Sequence, residues 1–212
     1  MKKDIHINDR AIEAIKYAWN SFCKKVGGGV IQVNKEASMQ LHFAHTLQQV
    51  APLIVYCTDE HIEIELETAI FDGEKNREAD IMVSVYKGSE KFKIAMELKC
   101  YREIAASGGK RGATDIFMKD VYEDLYLIEK YCQIGEADYG IALVMNDYKN
   151  FIYPMNKVAK CWDYDISNGT VVQPGHYTTP IGGKKIDIII KNQYKFDWVE
   201  EGEFYFAFLE RL

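Results

Sequence analysis

No stretch of this chain approaches the roughly 20 consecutive apolar residues of a bilayer-spanning helix, so a membrane is not expected among its partners. Prolines number only four, and neither an internal repeat nor a low-complexity run is present, which excludes solenoids and long disordered tails. A basic excess is also missing. With 26 Lys and Arg against 32 Asp and Glu the net charge is −6, which argues against nonspecific coating of nucleic acid but leaves a local grip open. The five cysteines (Cys23, Cys57, Cys100, Cys132, Cys161) are odd in number, widely spaced and free of any CxxC pair. Reduced thiols and a cytoplasmic location are therefore expected. The N-terminus contributes Lys2 and Lys3 but no apolar segment of a secretory signal.

Common catalytic signatures are absent too: no phosphate-binding P-loop, no dinucleotide glycine pattern and no Ser-His-Asp order. His42 and His45 stand three apart on a predicted helix, but no third metal ligand appears at suitable spacing. They are expected to be surface or packing residues.

What is present centres on residues 78–102, EADIMVSVYKGSEKFKIAMELKCYR. Lys87-Gly88-Ser89-Glu90 predicts a tight hairpin turn, since Gly supplies a positive φ. Lys87 opposite Glu90 carries on, pair by pair, to Asp80 opposite Glu97. Lys99 shares their face because strand side chains alternate with period two. The other face gathers Ile81, Val83, Val85, Phe92, Ile94, Met96 and Leu98, an apolar surface for a core. Two carboxylates facing each other repel unless a cation lies between them.

Along the chain, an amphipathic helix is predicted over 8–25, capped by Asn8 or Asp9. A second follows over 35–50, with Asn34 as its cap. On its wheel Glu36, Gln40, Phe43 and Leu47 share a narrow arc, so Glu36 is a carboxylate at the end of an apolar face. A charge favouring a helix N-terminus explains Glu36 equally well. Residues 53–57 run apolar and 61–68 alternate, the latter as a strand. Ser107 to Gly112 reads as a flexible basic loop. A third helix spans 114–133 with a buried stripe of Phe117, Val121, Leu125, Ile128 and Cys132, and 139–145 reads as a strand covered on both faces. Farther on, 194–198 and 204–208 predict a terminal hairpin.

This order, helix then three strands, helix and strand, with Asp80, Glu97-Leu98-Lys99 and the upstream Glu36, resembles the PD-(D/E)xK nuclease superfamily. The resemblance covers residues 35–145 and departs from the pattern in having Ala79 where many members have proline. Another acid-x-Lys, Asp147-Tyr148-Lys149, lacks an opposed acid. The implied fold is α/β: a restriction-endonuclease-like core (α-β-β-β-α-β, a mixed sheet flanked by helices). The core is placed at 35–150, between an N-terminal helix at 1–34 and a β-rich C-terminal elaboration at 151–212 packed on the same domain.

The implied activity is Mg²⁺-dependent phosphodiester hydrolysis, with Mn²⁺ as a substitute, on DNA ahead of RNA, in restriction, defence or DNA processing. Asp80, Glu97 and the Leu98 carbonyl are the implied metal ligands. Lys99 would orient or deprotonate the attacking water, or neutralise the phosphate; Glu36 would reach a second metal or its water. Gln40 is a possible partner of Glu36. Lys110 and Arg111 are candidate phosphate contacts, with Lys119 a weaker one. Duplex cleavage would favour a homodimer. The rival expectation is a member of the same fold that binds nucleic acid or a protein partner without cleaving.

Overall fold

The computed structural model describes residues 6–104 and 108–212; Lys2, Lys3 and Ser107 lie outside them. The elements run α1 (Ile7–Gly27), α2 (Glu36–Val50), β1 (Glu60–Phe71), β2 (Asn76–Lys87), β3 (Glu90–Tyr101), α3 (Thr114–Gln133), β4 (Tyr139–Asn146) and α4 (Lys149–Ile152). Six further strands follow: β5 (Val171–Val172), β6 (Gly175–Tyr177), β7 (Ile188–Ile190), β8 (Tyr194–Lys195), β9 (Val199–Glu201) and β10 (Phe204–Leu209). The protein is α/β, with a mixed six-stranded sheet in the order β1-β2-β3-β4-β10-β9. Only the β3–β4 pair is parallel within this sheet, and α3 makes the crossover between those two strands.

The central hairpin forms as its turn requires. Gly88 takes a φ of 59°, and the ladder runs from Lys87 opposite Glu90 to Ile81 opposite Met96. Its apolar face packs under α1 and α2, where Trp19, Phe22, Phe43 and Phe206 form an aromatic cluster with ring centroids 5.3–6.3 Å apart. The opposite face of β3 and β4 is covered by α3 and by the C-terminal segment, whose last long strand β10 pairs with β4. Strand β4 serves both sides: Ile141, Leu143 and Met145 join the first core, Ala142 and Val144 the second. Gly140 lets α3 come close, since a Cβ there would lie 2.7 Å from the Cβ of Ile128. That close approach seats α3 against the strand beside the acidic pair.

Several local expectations are corrected. Helix α1 starts at Ile7, and the His6 ring rather than Asn8 or Asp9 accepts from the first turn, taking the Asn8 N–H. Helix α2 is capped at Lys35, not Asn34, because the Ser38 hydroxyl folds back to accept the N–H groups of both residues. The apolar run at 53–57 begins inside a 3-10 turn, Ala51–Ile54. Near the C-terminus, the hairpin partner of β10 is β9. Tyr194 and Lys195 pair instead with Val171 and Val172.

Candidate active site

The ladder between β2 and β3 stops one pair short of the acids. Beyond Ile81 and Met96 the strands leave regular pairing, and Asp80 Oδ2 accepts the Leu98 N–H at 2.6 Å. A side chain takes the role of a backbone acceptor, and the two strands part around it. The ladder between β1 and β2 misses a pair at the same level: Leu66 lies opposite Ile81 and Thr68 opposite Ala79, but no regular pair joins Glu67 to Asp80. Glu67 holds a φ of 52°, a strained conformation for a residue with a Cβ. Both edges of β2 are thus irregular at Asp80.

Glu97 lies deeper, 5 % exposed, where Tyr131 of α3 donates its hydroxyl to Oε1 at 2.8 Å. Burial is the largest influence on both acids. It raises the Asp80 carboxyl to about 6 against the Leu98 N–H, with the charges of Glu36 and Glu67 adding to the rise. It raises Glu97 to about 8, with Asp80 adding to the rise and Tyr131 and Lys99 opposing it. The pair therefore resists carrying two negative charges.

Lys99 extends between two carboxylates, with Nζ 3.3 Å from Glu36 Oε2 and 3.6 Å from Asp124 Oδ2. Burial works against its charge, but Asp124, Glu36, Asp80 and Asp120 together outweigh that and raise its pKa above the ordinary lysine value. Asp124, on α3, is 4 % exposed, and burial raises its carboxyl well above the usual range although Lys99 pulls the other way.

Helix α2 brings the remaining groups from the opposite side of the sheet. Glu36 Oε2 also accepts the Cys100 N–H at 3.4 Å, while Gln40 donates to Glu67 Oε1 at 2.6 Å and to the Asp80 carbonyl at 2.8 Å. Phe43 and Leu47 lie in the core below them. The arc of Glu36, Gln40, Phe43 and Leu47 is thus an apolar anchor with two polar groups at the open end of the sheet.

The structure brings Asp80, Glu97, Lys99, Glu36 and Gln40 together, while the expected basic contacts have local partners of their own. Lys110 sits on the loop after β3, 74 % exposed at its side chain and 2.9 Å from Glu103. The Arg111 backbone is tied to the Glu103 carbonyl and to the Tyr101 hydroxyl. Lys119 is neutralised by Asp120 and Glu123 on its own helix. Asp147, of the rival acid-x-Lys, takes Arg102 Nε at 2.8 Å and the Glu103 N–H at 2.6 Å, which fixes the chain leaving β3.

Three residues of the site carry little signal in the sequence. Asp124 and Tyr131 flank the apolar stripe of α3, and Asp120 and Asp124 form an i, i+4 acidic pair one step off that stripe. That pair was the available signal. Glu67 faces Asp80 only through the β1–β2 register, and the irregular turn at residues 72–75 hides that register from simple counting.

Among the described residues, no three His, Cys, Asp or Glu side chains stand in an arrangement able to hold a metal ion. The donor set still suits magnesium, which is commonly held by one or two carboxylates with water completing its shell. Glu36 and Asp124 bracket Lys99, and burial, with neighbouring acids adding to it, raises Asp80 and Glu97, a cost that a divalent cation would relieve. Comparison with protein-family models, with curated proteins and with solved structures finds no match to this chain.

Proposed function

We propose that this protein is a Mg²⁺-dependent endonuclease of the PD-(D/E)xK type that hydrolyses phosphodiester bonds in DNA. The observation that supports this best is the meeting of Asp80, Glu97 and Lys99 between two parted strands, with Glu36 reaching Lys99 from across the sheet. Asp80, Glu97 and the Leu98 carbonyl are the groups that would hold the metal. When bound, Mg²⁺ would acidify a water and stabilise charge on the phosphate.

The chain's own residues then divide the remaining tasks. The Leu98 N–H fixes the Asp80 carboxylate, and the Tyr131 hydroxyl fixes that of Glu97. Lys99, held cationic by its carboxylates, suits neutralising a phosphate oxygen or orienting water better than taking a proton. Glu36, with its side chain 42 % exposed, is within reach of an incoming water. Arg111 and Lys110 lie on the loop that continues β3 and are proposed as backbone-phosphate contacts.

A second reading is a domain of this fold that binds nucleic acid or a protein partner without cleaving. The depth of Glu97 beneath Tyr131 favours it. Incubation of purified protein with plasmid DNA and Mg²⁺, beside a Glu97→Ala control, separates the two. Cleavage by the wild type alone supports the nuclease. Equal cleavage by both marks a contaminant, and intact plasmid with both favours the binding domain.

A further inference from the structure

Asp124 is a costly residue for its position. It projects from α3 beside Val121, Leu125 and Ile128, which belong to the apolar core, and is itself 4 % exposed. Its Oδ2 is buried without any hydrogen-bond partner, and the nearest cation is Lys99 Nζ at 3.6 Å. A carboxylate removed from water without a partner is strongly unfavourable, and an apolar residue of similar volume is often as stable there or more so. Packing alone does not account for this side chain.

The charge arrangement supplies a role. Lys99 is held from two sides, but the two holders differ. Glu36 is on α2 with its side chain 42 % exposed, whereas Asp124 is walled in at 6 %. Glu36 is open to solvent, where a ligand can compete for it. Asp124 is enclosed, and its backbone is seated on the sheet through the close packing of Ile128 on Gly140. Asp120, one turn earlier, adds a more distant negative charge on the same side of Lys99.

We propose that Asp124 is a positioning residue of this site: it holds the Lys99 ammonium in place beside Asp80 and Glu97 while Glu36 is engaged elsewhere. The proposal rests on the nuclease reading for its catalytic consequence, though the clamp itself is a property of the protein alone. Asp124 touches neither metal nor substrate. Its removal therefore acts on turnover through Lys99 and leaves metal affinity and substrate affinity in place.

Two measurements on Asp124→Asn, Lys99→Met and the double variant Asp124→Leu/Lys99→Met decide the matter. The first is cleavage of a duplex DNA in Mg²⁺, with Mn²⁺ affinity measured by calorimetry. Asp124→Asn is expected to lower kcat about 10- to 100-fold, comparable to losing one preorganised electrostatic contact, with KM and Mn²⁺ affinity changed less than about twofold. The double variant, which removes both charges and so avoids an unpaired buried ion, should be no less active than Lys99→Met. Unchanged kcat in Asp124→Asn overturns the proposal, as does loss of Mn²⁺ binding, which would make Asp124 a ligand. An additive further loss in the double variant also overturns it.

The second measurement is the ¹⁵N-ammonium NMR signal of Lys99 in the wild type and in Asp124→Asn, which needs no activity. A restrained signal that broadens or vanishes in the variant supports the clamp; an identical signal overturns it. If the wild type does not cleave, the nuclease reading fails, and this signal alone still decides whether Asp124 holds Lys99. If Asp124→Asn does not fold, the folded double variant decides by its activity relative to Lys99→Met.

Discussion

The Asp80 carboxylate accepts the Leu98 N–H at 2.6 Å, one residue past the last regular pair of the β2–β3 ladder. An acid that substitutes for a strand's backbone acceptor fixes itself and parts the strands in one contact. It also stands beside Glu97 in partial burial, so the arrangement that builds the site costs stability. The two consequences have opposite signs on activity and on fold.

Asp80→Asn should show both. The amide oxygen still accepts from Leu98, so the fold is kept, but the charge is gone. Cleavage is expected to fall at least about 10³-fold, about 4 kcal/mol of barrier at about 1.36 kcal/mol per decade. Without metal at pH 8 the variant should be more stable than wild type by about 1–2 kcal/mol, because a buried charge beside other acids is removed. Chemical denaturation and plasmid cleavage read the two effects separately.

The pH dependence of stability follows from the raised carboxyls. In the unfolded chain these acids lose their protons near the ordinary value of about 4. In the folded protein Asp80 keeps its proton to about 6 and Glu97 to about 8. Between these limits the folded state binds more protons, so their contribution is greatest below pH 4 and is lost as pH rises through 8. Metal-free protein is expected to lose melting temperature from pH 5 to pH 8 relative to Glu97→Gln. Parallel melting curves for the two proteins would refute the assignment.

Metal binding should run the other way. A cation needs both carboxylates ionised, so its binding displaces whatever protons they retain. Mn²⁺ affinity is expected to rise from pH 6 to pH 8, by up to about tenfold per pH unit for each proton released. Calorimetry in buffers of different ionisation heat measures that proton release directly.

Much of this arrangement was legible in the sequence. Gly88 announced the turn, the turn set the pairing through Ile81 and Met96, and alternation then sorted core from site. Glu36 and Gln40 were visible as polar residues on an apolar helical arc. Local pattern could not reveal where the ladder would stop, because the Asp80 side chain competes with backbone hydrogen bonding there. Nor could it place Asp124, whose significance depends on a crossover helix landing over Lys99. The pairing of β8 with β5 was hidden for the same reason: a two-residue contact leaves almost no periodic signal.

Gly140 tests how the crossover helix is held. Gly140→Val places side-chain atoms where Ile128 already packs, with the first of them 2.7 Å from its Cβ. The helix must shift, at about 1–3 kcal/mol. For a domain of this size that predicts a melting temperature lower by roughly 2–4 °C per kcal/mol. Cleavage should fall further than Tyr131→Phe alone produces, since the shift moves Asp124 and Tyr131 together.

Anomalous diffraction from crystals soaked in Mn²⁺ near pH 8 reveals whether the buried acidic pair holds a divalent cation. One strong peak is expected, bounded by the carboxylates of Asp80 and Glu97 and lost in crystals of Asp80→Asn. Density free of any peak there in wild-type crystals, or a peak that persists in Asp80→Asn, would contradict it.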